Sequence, residues 1–125
     1  MLFDTDIFIW IQRGNVRAAE LFEAGTERYI SIQTYMELLQ CAQNKQQLHF
    51  TKHFLADFGV VALPFSAPIG QRAAVYVEEY SLATGLRAGD ALIAATAVEY
   101  DLPLTTSNAK HFRQIAGLDL RVFKP

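Results

Sequence analysis

The apolar and polar positions alternate between short strand-like runs and longer helix-like segments along all 125 residues. Short apolar or alternating runs indicate strands, and longer segments with a 3.6-residue apolar period indicate helices. Strands are predicted at Met1–Asp4, Arg28–Ile32, Val60–Leu63, Leu102–Thr105 and Leu120–Phe123. This order predicts an α/β fold in three layers, with a central, mostly parallel sheet flanked by helices.

Glycine, proline and small polar residues mark where the intervening helices begin and end. One helix is predicted to follow the first strand and end near Gly14. The others are predicted at Asn15–Ala24, Thr34–Gln43, Gln46–Phe58, Ser66–Thr84, Asp90–Tyr100 and Ala109–Ile115. No repeat, low-complexity tract or linker breaks the order, so residues 1–125 are expected to form one domain.

Composition narrows the class of protein. The chain is 51% hydrophobic and 19% charged, which is enough to fill a core and argues against disorder. The single cysteine, Cys41, cannot form an internal disulfide and fits a reducing compartment, so a cytoplasmic location is expected. No apolar run reaches the ~20 residues of a membrane span. The first residues also lack the basic start of a signal peptide, so no membrane association is expected.

Three acids and one amide lie in or beside apolar segments: Asp4, Glu37, Asp90 and Asn108. An unpaired carboxylate is costly in such surroundings. Sites in parallel sheets form beyond the carboxyl ends of the strands, so these positions suit one shared cleft. Hard divalent ions such as Mg²⁺ and Mn²⁺ prefer oxygen ligands of this kind. Metal-assisted phosphodiester chemistry is therefore the leading hypothesis.

The formal net charge of −2 does not exclude a nucleic-acid substrate. Four of the acidic residues, Asp4, Asp6, Glu37 and Asp90, are candidate site groups, and without them the rest of the chain is slightly positive. A bound cation would offset their charge. The balance does argue against a strong, nonspecific basic binder of nucleic acid.

Helix capping is the structural alternative for each candidate residue. Thr34-Tyr-Met-Glu37 fits a capping box, in which Glu37 would occupy the third helical position. Asp4 or Asp6 could cap the first helix, and Asn108 could cap the helix that follows it. Asp90 could cap its own helix or complement its dipole. Capping accounts for each position singly, but it does not account for the segments in which these residues occur.

Four segments, in order along the chain, resemble those of the PIN-domain ribonucleases, and within them the VapC-type toxins of toxin–antitoxin pairs. They are Leu2–Phe8, Ile30–Leu38, Leu86–Ala97 and Leu104–Phe112. The resemblance runs nearly end to end. It implies a PIN-like domain, a metal-dependent endoribonuclease that inhibits growth by cleaving RNA, and a cognate antitoxin as partner.

The resemblance also implies roles for individual residues. Asp4, Glu37 and Asp90 would hold Mg²⁺ or Mn²⁺, and Thr106 and Asn108 would orient the catalytic site through hydrogen bonds. Many relatives carry a fourth acid in the last segment, where this chain has Asn108 and then His111. A neutral amide contributes less charge than an acid.

Supporting and substrate-contacting residues follow from the same segments. Asp6 could partly compensate for the missing acid. Three basic residues are candidates for contacts with RNA phosphates, with ordinary surface charge as the alternative: Arg87, Lys110 and Arg113. The apolar side chains of Trp10 and Ile11, together with a tyrosine-bearing helix, favour a homodimer.

Rival functions remain open at the level of sequence. Phe3-Asp4-Thr5-Asp6 is similar to the opening of haloacid dehalogenase-like phosphatases, although those continue with Gly-Thr. A phosphoacceptor domain would use Asp57, but this residue precedes a predicted strand instead of ending one. His49 and His53 have the spacing of a metal pair, on what reads as a solvated face. A non-catalytic binding module, whose acids only cap helices, is the third alternative.

Overall fold

Five short strands form one sheet in this computed structural model, which describes residues 1–125. The strands are β1 (Leu2–Phe3), β2 (Tyr29–Ser31), β3 (Val61–Leu63), β4 (Leu104–Thr106) and β5 (Leu120–Val122). Their order across the sheet is β3-β2-β1-β4-β5, and all four neighbouring pairs are parallel. The predicted parallel α/β fold is confirmed.

Six α-helices connect the strands: α1 (Thr5–Gln12), α2 (Val16–Ala24), α3 (Ile32–Gln40), α4 (Lys45–Asp57), α5 (Ala67–Thr84) and α6 (Ala88–Glu99). A single 3₁₀ turn covers Ala109–His111. Short polar side chains begin several helices by accepting a backbone N–H bond, as Asn15 does for α2 and Ser66 for α5. Gly85 ends α5 in the left-handed conformation, where glycine carries no steric penalty.

The two faces of the sheet carry separate apolar cores. Leu2 packs with α5 and α6, whereas the next residue, Phe3, packs with α1 to α4. Successive strand side chains point to opposite faces, so this split shows that helices cover both faces. The second core is rich in aromatic side chains in mutual contact: Phe3, Phe8, Phe22, Phe54 and Phe58. The result is the three-layer architecture predicted from the sequence.

Two strands end earlier than predicted because polar side chains begin helices at those points. Asp4 accepts the N–H of Thr5 and caps α1, so β1 stops at Phe3. Ser31 accepts the N–H of Gln33 and caps α3. The helix therefore starts at Ile32, two residues before the predicted Thr34.

The earlier start of α3 removes the predicted capping box. Thr34 lies inside the helix and is fully buried, and Glu37 lies beyond the first turn. The structural alternative for Glu37 is therefore wrong. The last segments also differ: β4 covers Leu104–Thr106 instead of Leu102–Thr105. The helix predicted at Ala109–Ile115 is only the 3₁₀ turn.

The order of the strands creates one crevice. The chain builds β1, β2 and β3 toward one edge of the sheet and then returns to add β4 and β5 on the other side of β1. The connections therefore leave the carboxyl ends of β1 and β4 in opposite directions, which opens a crevice where ligands bind in sheets of this kind. None of the helices is both long and apolar enough to span a membrane.

Candidate active site

Asp4 directly follows β1, at the carboxyl end of the strand where the strand order places this crevice. Its carboxyl oxygens accept hydrogen bonds from the Thr5 N–H at 2.7 Å and the Thr106 O–H at 2.8 Å. The residue is only 6% exposed. Burial, the neighbouring charge of Asp6 and, more weakly, that of Asp90 raise the pKa of Asp4 to about 8, against the opposing effect of the two hydrogen bonds. An ionised Asp4 therefore needs a nearby cation.

Asp6 lies in the first turn of α1 and reaches the end of β4. Its Oδ2 accepts hydrogen bonds from the Ser107 N–H at 2.9 Å, from the Ser107 hydroxyl, and from Thr106 Oγ1 at 3.3 Å. Its Oδ1 is buried and has no hydrogen-bond partner. The side chain is therefore anchored through one oxygen, while the other is left without a donor.

Glu37 reaches the site from the middle of α3. Its Oε1 accepts a hydrogen bond from Thr5 Oγ1 at 2.6 Å, and that hydroxyl also lies 3.0 Å from Thr34 Oγ1. Across from Glu37, α6 approaches closely at Gly89. A Cβ atom there would lie 3.3 Å from Glu37 Oε2 and 3.2 Å from Gln33 Nε2. The absent side chain of Gly89 leaves space for the carboxylate.

Asp90 follows Gly89 in the first turn of α6, facing the segment after β4. His111 Nδ1 lies 3.6 Å from Asp90 Oδ2. Burial raises the pKa of Asp90, and Glu37 adds to this, while a backbone hydrogen bond at Arg87 and the His111 side chain oppose it. The helix is begun by Arg87 without a side-chain cap, so Asp90 is not its capping residue.

Four carboxylates from three separate parts of the chain thus lie close enough to influence one another. Asp6 and Asp90 both raise the pKa of Asp4, and Glu37 raises that of Asp90. Carboxylate oxygens suit Mg²⁺ and Mn²⁺, and Oδ1 of Asp6 accepts no hydrogen bond from the protein. As the side chains stand, no three acidic, histidine or cysteine groups are close enough to hold one ion. Binding a shared ion would therefore require these side chains to close around it.

The two predicted orienting residues, Thr106 and Asn108, lie in different surroundings. Thr106 is fully buried, and its hydroxyl donates to Asp4 Oδ2. Asn108 is exposed, and its side chain makes no hydrogen bond and caps no helix. Only its backbone takes part, through an N–H bond of 3.0 Å to Thr106 Oγ1. The structure does not bring the Asn108 amide together with the acids.

The three predicted RNA-contacting residues are all exposed and form no ion pair: Arg87, Lys110 and Arg113. Arg87 directly precedes α6, close enough to Asp90 to lower its pKa. Lys110 and Arg113 lie in the segment that follows β4. Exposed, unpaired cations beside an acidic crevice are free to contact phosphate groups.

Comparison with known protein families identifies the fold. The model of the PIN domain matches residues 1–118. The chain belongs to the PIN-domain family. The predicted resemblance to this family is therefore confirmed, and the candidate site lies within the matched residues.

Solved structures match this PIN domain over nearly its whole length. A chain of a toxin–antitoxin complex from Klebsiella pneumoniae is 33% identical, with 94% of this chain and 93% of that one covered and a TM-score of 0.78. Chains of DNA-bound VapBC from Salmonella typhimurium and of VapBC2 from Rickettsia felis bound to a promoter fragment are each 23% identical. For the Salmonella chain the TM-score is 0.79, with 97% of this chain and 96% of that one covered. For the Rickettsia chain the TM-score is 0.76, with 98% of each chain covered. No curated protein matches.

Four residues around the acids of this PIN domain were not singled out from the sequence: Thr5, Gly89, Ser107 and His111 in these roles. Only the fold shows which acid each of them contacts. The sequence did hold one signal for two of them. Thr5 directly precedes the candidate acid Asp6, and Gly89 directly precedes the candidate acid Asp90.

Features outside the crevice do not form a second site of the same kind. His49 and His53 are both exposed on α4, as expected of a solvated face. Asp57 is exposed at the end of α4 and does not join Asp4 and Asp6. An apolar cavity of about 320 Å³ between α1, α3 and α4 is lined by no acid. The acidic crevice remains the candidate active site.

Proposed function

We propose that this PIN domain, comprising residues 1–125, is a Mg²⁺- or Mn²⁺-dependent endoribonuclease that acts as the growth-inhibiting toxin of a toxin–antitoxin pair. One observation carries the proposal. Asp4, Asp6, Glu37 and Asp90 come from three separate segments of the chain, yet they lie close enough to influence one another, and no arginine or lysine forms an ion pair with them. Such a group is costly to a fold unless a cation binds there.

The proposed metal ligands are Asp4, Glu37 and Asp90. When bound, a divalent cation polarises the scissile phosphate and lowers the pKa of water. Thr106 holds Asp4 by donating to Oδ2, and Thr5 holds Glu37 by donating to Oε1. These two hydroxyls restrain Asp4 and Glu37 in the metal-free protein, and the two carboxylates would move from these positions to close around an ion.

Substrate binding is assigned to the rim of the crevice. Arg87, Lys110 and Arg113 are exposed there and would contact RNA phosphates on either side of the cleavage point. The exposed amide of Asn108 lies in the same segment and is proposed to orient the reacting phosphate or water. The modest number of basic residues favours a limited contact area over tight, nonspecific binding.

The rival functions lose their main support. A non-catalytic module would use the acids as helix caps. Asp4 does cap α1, but Ser31 and Arg87 occupy the capping positions of α3 and α6, so Glu37 and Asp90 are not the caps of their helices. A phosphatase or phosphoacceptor needs an accessible nucleophilic aspartate. Asp4 is buried, and both of its oxygens accept hydrogen bonds.

A protein partner belongs to the same proposal. The 33% identical chain is part of a toxin–antitoxin complex, and a free ribonuclease would damage RNA in its own cell. We expect a cognate antitoxin that covers the crevice. A basic side chain from it, placed among the acids, would replace the charge of the metal ion.

RNA cleavage by the purified protein tests the proposed activity. Cleavage of single-stranded RNA should require Mg²⁺ or Mn²⁺, and EDTA should abolish it. Asp4→Asn and Glu37→Gln should each lower the rate by ~10²-fold or more, the scale of losing one electrostatic stabiliser. The control is Glu23→Gln, an exposed acid on α2, which should cleave at the wild-type rate. Cleavage that persists in EDTA would refute metal dependence.

A growth assay tests the biological role separately. Expression of the wild-type chain alone should arrest growth, and co-expression of its antitoxin should restore it. Glu37→Gln should be harmless at the same expression level. Normal growth of cells that contain folded, active wild-type protein would contradict the toxin role.

A further inference from the structure

Trp10, in the second half of α1, is held beside the acidic crevice by a hydrogen bond. Its indole N–H donates to Ser107 Oγ at 3.1 Å, and the Ser107 hydroxyl donates to Asp6 Oδ2. The indole is therefore linked to the acids of the crevice through a single intervening side chain. Because its N–H is engaged, the ring is restrained in one orientation.

The Trp10 side chain belongs to neither apolar core. It is partly exposed and packs with neither cluster of buried side chains, whereas its neighbour Ile11 packs against the second cluster. Large aromatic side chains stabilise a protein mainly through the area that they bury. An ordered indole that lies outside both cores is therefore available to a ligand.

Arg13 adds an exposed positive charge at the same place. Its guanidinium lies over the Trp10 ring, with Cζ 5.5 Å from the ring centroid, and it forms no ion pair. Arg28 also lies over aromatic rings, those of Phe22 and Phe58, but it donates to three backbone carbonyls. Arg28 is thus used by the fold, whereas the charge of Arg13 remains unpaired.

An aromatic plane beside an unpaired guanidinium suits an unpaired nucleotide. Bases of single-stranded RNA stack on aromatic rings and on guanidinium planes, and arginine contacts phosphate. The acids of the crevice repel phosphate groups. Arg13 offsets this repulsion on the α1 side, as Lys110 and Arg113 do on the segment after β4.

We infer that Trp10 and Arg13 form a subsite for one unpaired nucleotide of the substrate, whose base stacks on the indole and whose phosphate contacts the guanidinium. This inference rests on the proposed ribonuclease function. The subsite selects RNA by its strand state, because a base in a duplex is already stacked and cannot reach the indole. It accepts any base, since every base has a flat aromatic face.

Tryptophan fluorescence of the purified protein in EDTA tests the subsite directly, because Trp10 is the only tryptophan of the chain. A short oligouridine should quench the emission as it binds. An abasic oligonucleotide of the same length carries the same phosphates, so it should bind ~10-fold or more weakly and leave the emission unchanged. Fluorescence anisotropy of labelled oligonucleotides measures binding in parallel. Equal binding of both oligonucleotides, or binding of oligouridine without quenching, would overturn the subsite.

Two substitutions separate stacking from a purely structural role of Trp10. Trp10→Phe keeps an aromatic plane and loses the N–H, whereas Trp10→Leu loses both. If the ring stacks on a base, KM for oligouridine cleavage should rise ~10-fold or more in Trp10→Leu with little change in kcat, and Trp10→Phe should recover much of that loss. If Trp10 only holds Ser107, both variants should be impaired alike, and the subsite is wrong. Tyr100→Leu, an exposed aromatic at the other end of α6 from Asp90, should behave as the wild type.

Arg13→Gln tests the phosphate contact. It should weaken oligouridine binding and reduce the slope of log affinity against log salt concentration by about one, because one phosphate contact is lost. Lys52→Gln, a matched change of an exposed cation on α4, should leave affinity and slope unchanged. The same slope in Arg13→Gln as in the wild type would remove Arg13 from the subsite.

The outcomes distinguish this inference from the proposed function. If the wild type cleaves RNA while its emission and its Trp10 variants show no effect of the base, the subsite is wrong and the ribonuclease proposal survives. If the wild type neither binds nor cleaves RNA, both are overturned. Sedimentation covers the remaining case: if Trp10→Leu converts a dimer to a monomer and loses RNA binding with it, the indole belongs to a subunit contact and the subsite is overturned.

Discussion

At the scale of single residues, the clustered acids oppose the stability of the fold, because burial and neighbouring negative charges disfavour their ionised forms. Asp4 is buried beside two other acids, and its pKa is raised to about 8 from 3.8. The unfolded chain releases this proton near pH 3.8, whereas the folded chain keeps it until about pH 8. Between these values the folded state binds more protons, so stability falls as pH rises.

This sign gives a prediction for the metal-free protein. The free energy of unfolding should be highest below pH 3.8 as far as Asp4 is concerned, and that contribution should be lost as pH approaches about 8. Asp4→Asn cannot ionise, so its stability should depend less on pH. Urea unfolding in EDTA at several pH values measures both proteins. Parallel pH profiles for wild type and Asp4→Asn would contradict the assignment.

The sequence could identify these acids but not their partners. Asp4, Glu37 and Asp90 stood out because each occurs in a segment typical of the family, and Asp6 because it accompanies Asp4. Ser107 and His111 contact Asp6 and Asp90 only because the chain folds back after β4. The contact between Ser107 and Asp6 joins residues about a hundred positions apart in the chain, and no local sequence pattern predicts it.

At the scale of elements, the site depends on the close approach of α3 and α6. Gly89 permits it, because a Cβ atom there would meet Glu37 Oε2 at 3.3 Å. This oxygen atom and Gln33 Nε2, which would lie 3.2 Å away, are at the ends of flexible side chains, so they can move aside. The cost of adding a methyl group at this position should therefore fall on the position of Glu37 more than on the fold.

Gly89→Ala should separate stability from activity. Alanine favours helix by up to ~1 kcal/mol over glycine, so the free energy of unfolding should stay within ~1 kcal/mol of wild type. RNA cleavage should fall ~10-fold or more, because displaced catalytic groups lose reactivity steeply. Gly70→Ala in α5 is the control, since no atom lies within 4 Å of its Cβ position. It should stabilise the protein and leave cleavage unchanged; an equal loss in both variants would contradict this account.

Element boundaries were predictable to within a few residues, and the misses have local causes. The strand predicted at Arg28–Ile32 ends one residue earlier, at Ser31, and the helix predicted at Thr34–Gln43 begins two residues earlier, at Ile32. The cause is that Ser31 was not recognised as the cap of α3. The segment Ala109–Ile115 has a helical pattern but forms only one 3₁₀ turn, followed by turns toward Gly117. In this part of the chain, Ser107 contacts Asp6 and His111 contacts Asp90.

At the scale of the whole molecule, exposed apolar side chains favour self-association. Leu82 on α5 is fully exposed and Phe50 on α4 is 72% exposed. Phe50 and the partly exposed Trp10 and Ile11 lie on the side of the sheet covered by α1 to α4, and these three support the homodimer proposed from the sequence, whereas Leu82 lies on the other side. Analytical ultracentrifugation at micromolar concentration should give twice the chain mass of 14.0 kDa. A concentration-independent mass of 14.0 kDa would rule the dimer out.

The topology of the whole sheet explains why a short chain can gather distant acids. The order β3-β2-β1-β4-β5 places β1 between β2 and β4, so the ends of these strands meet at one crevice. Alternating strands and helices predicted a parallel sheet, but they did not predict this order. This order places β4 beside β1 and so brings Asp6 and Ser107 together.

The central claim is that the clustered acids serve cation-dependent chemistry, beyond the capping of α1 by Asp4. Asp90→Asn tests it most directly, measured as RNA cleavage in Mg²⁺ and as unfolding free energy in EDTA on the same preparation. Burial raises the pKa of Asp90, so a neutral side chain should be tolerated and stability at neutral pH should be equal or higher. Cleavage should nevertheless fall by ~10²-fold or more. A variant that cleaves RNA at the wild-type rate, or that loses stability along with activity, would contradict the claim.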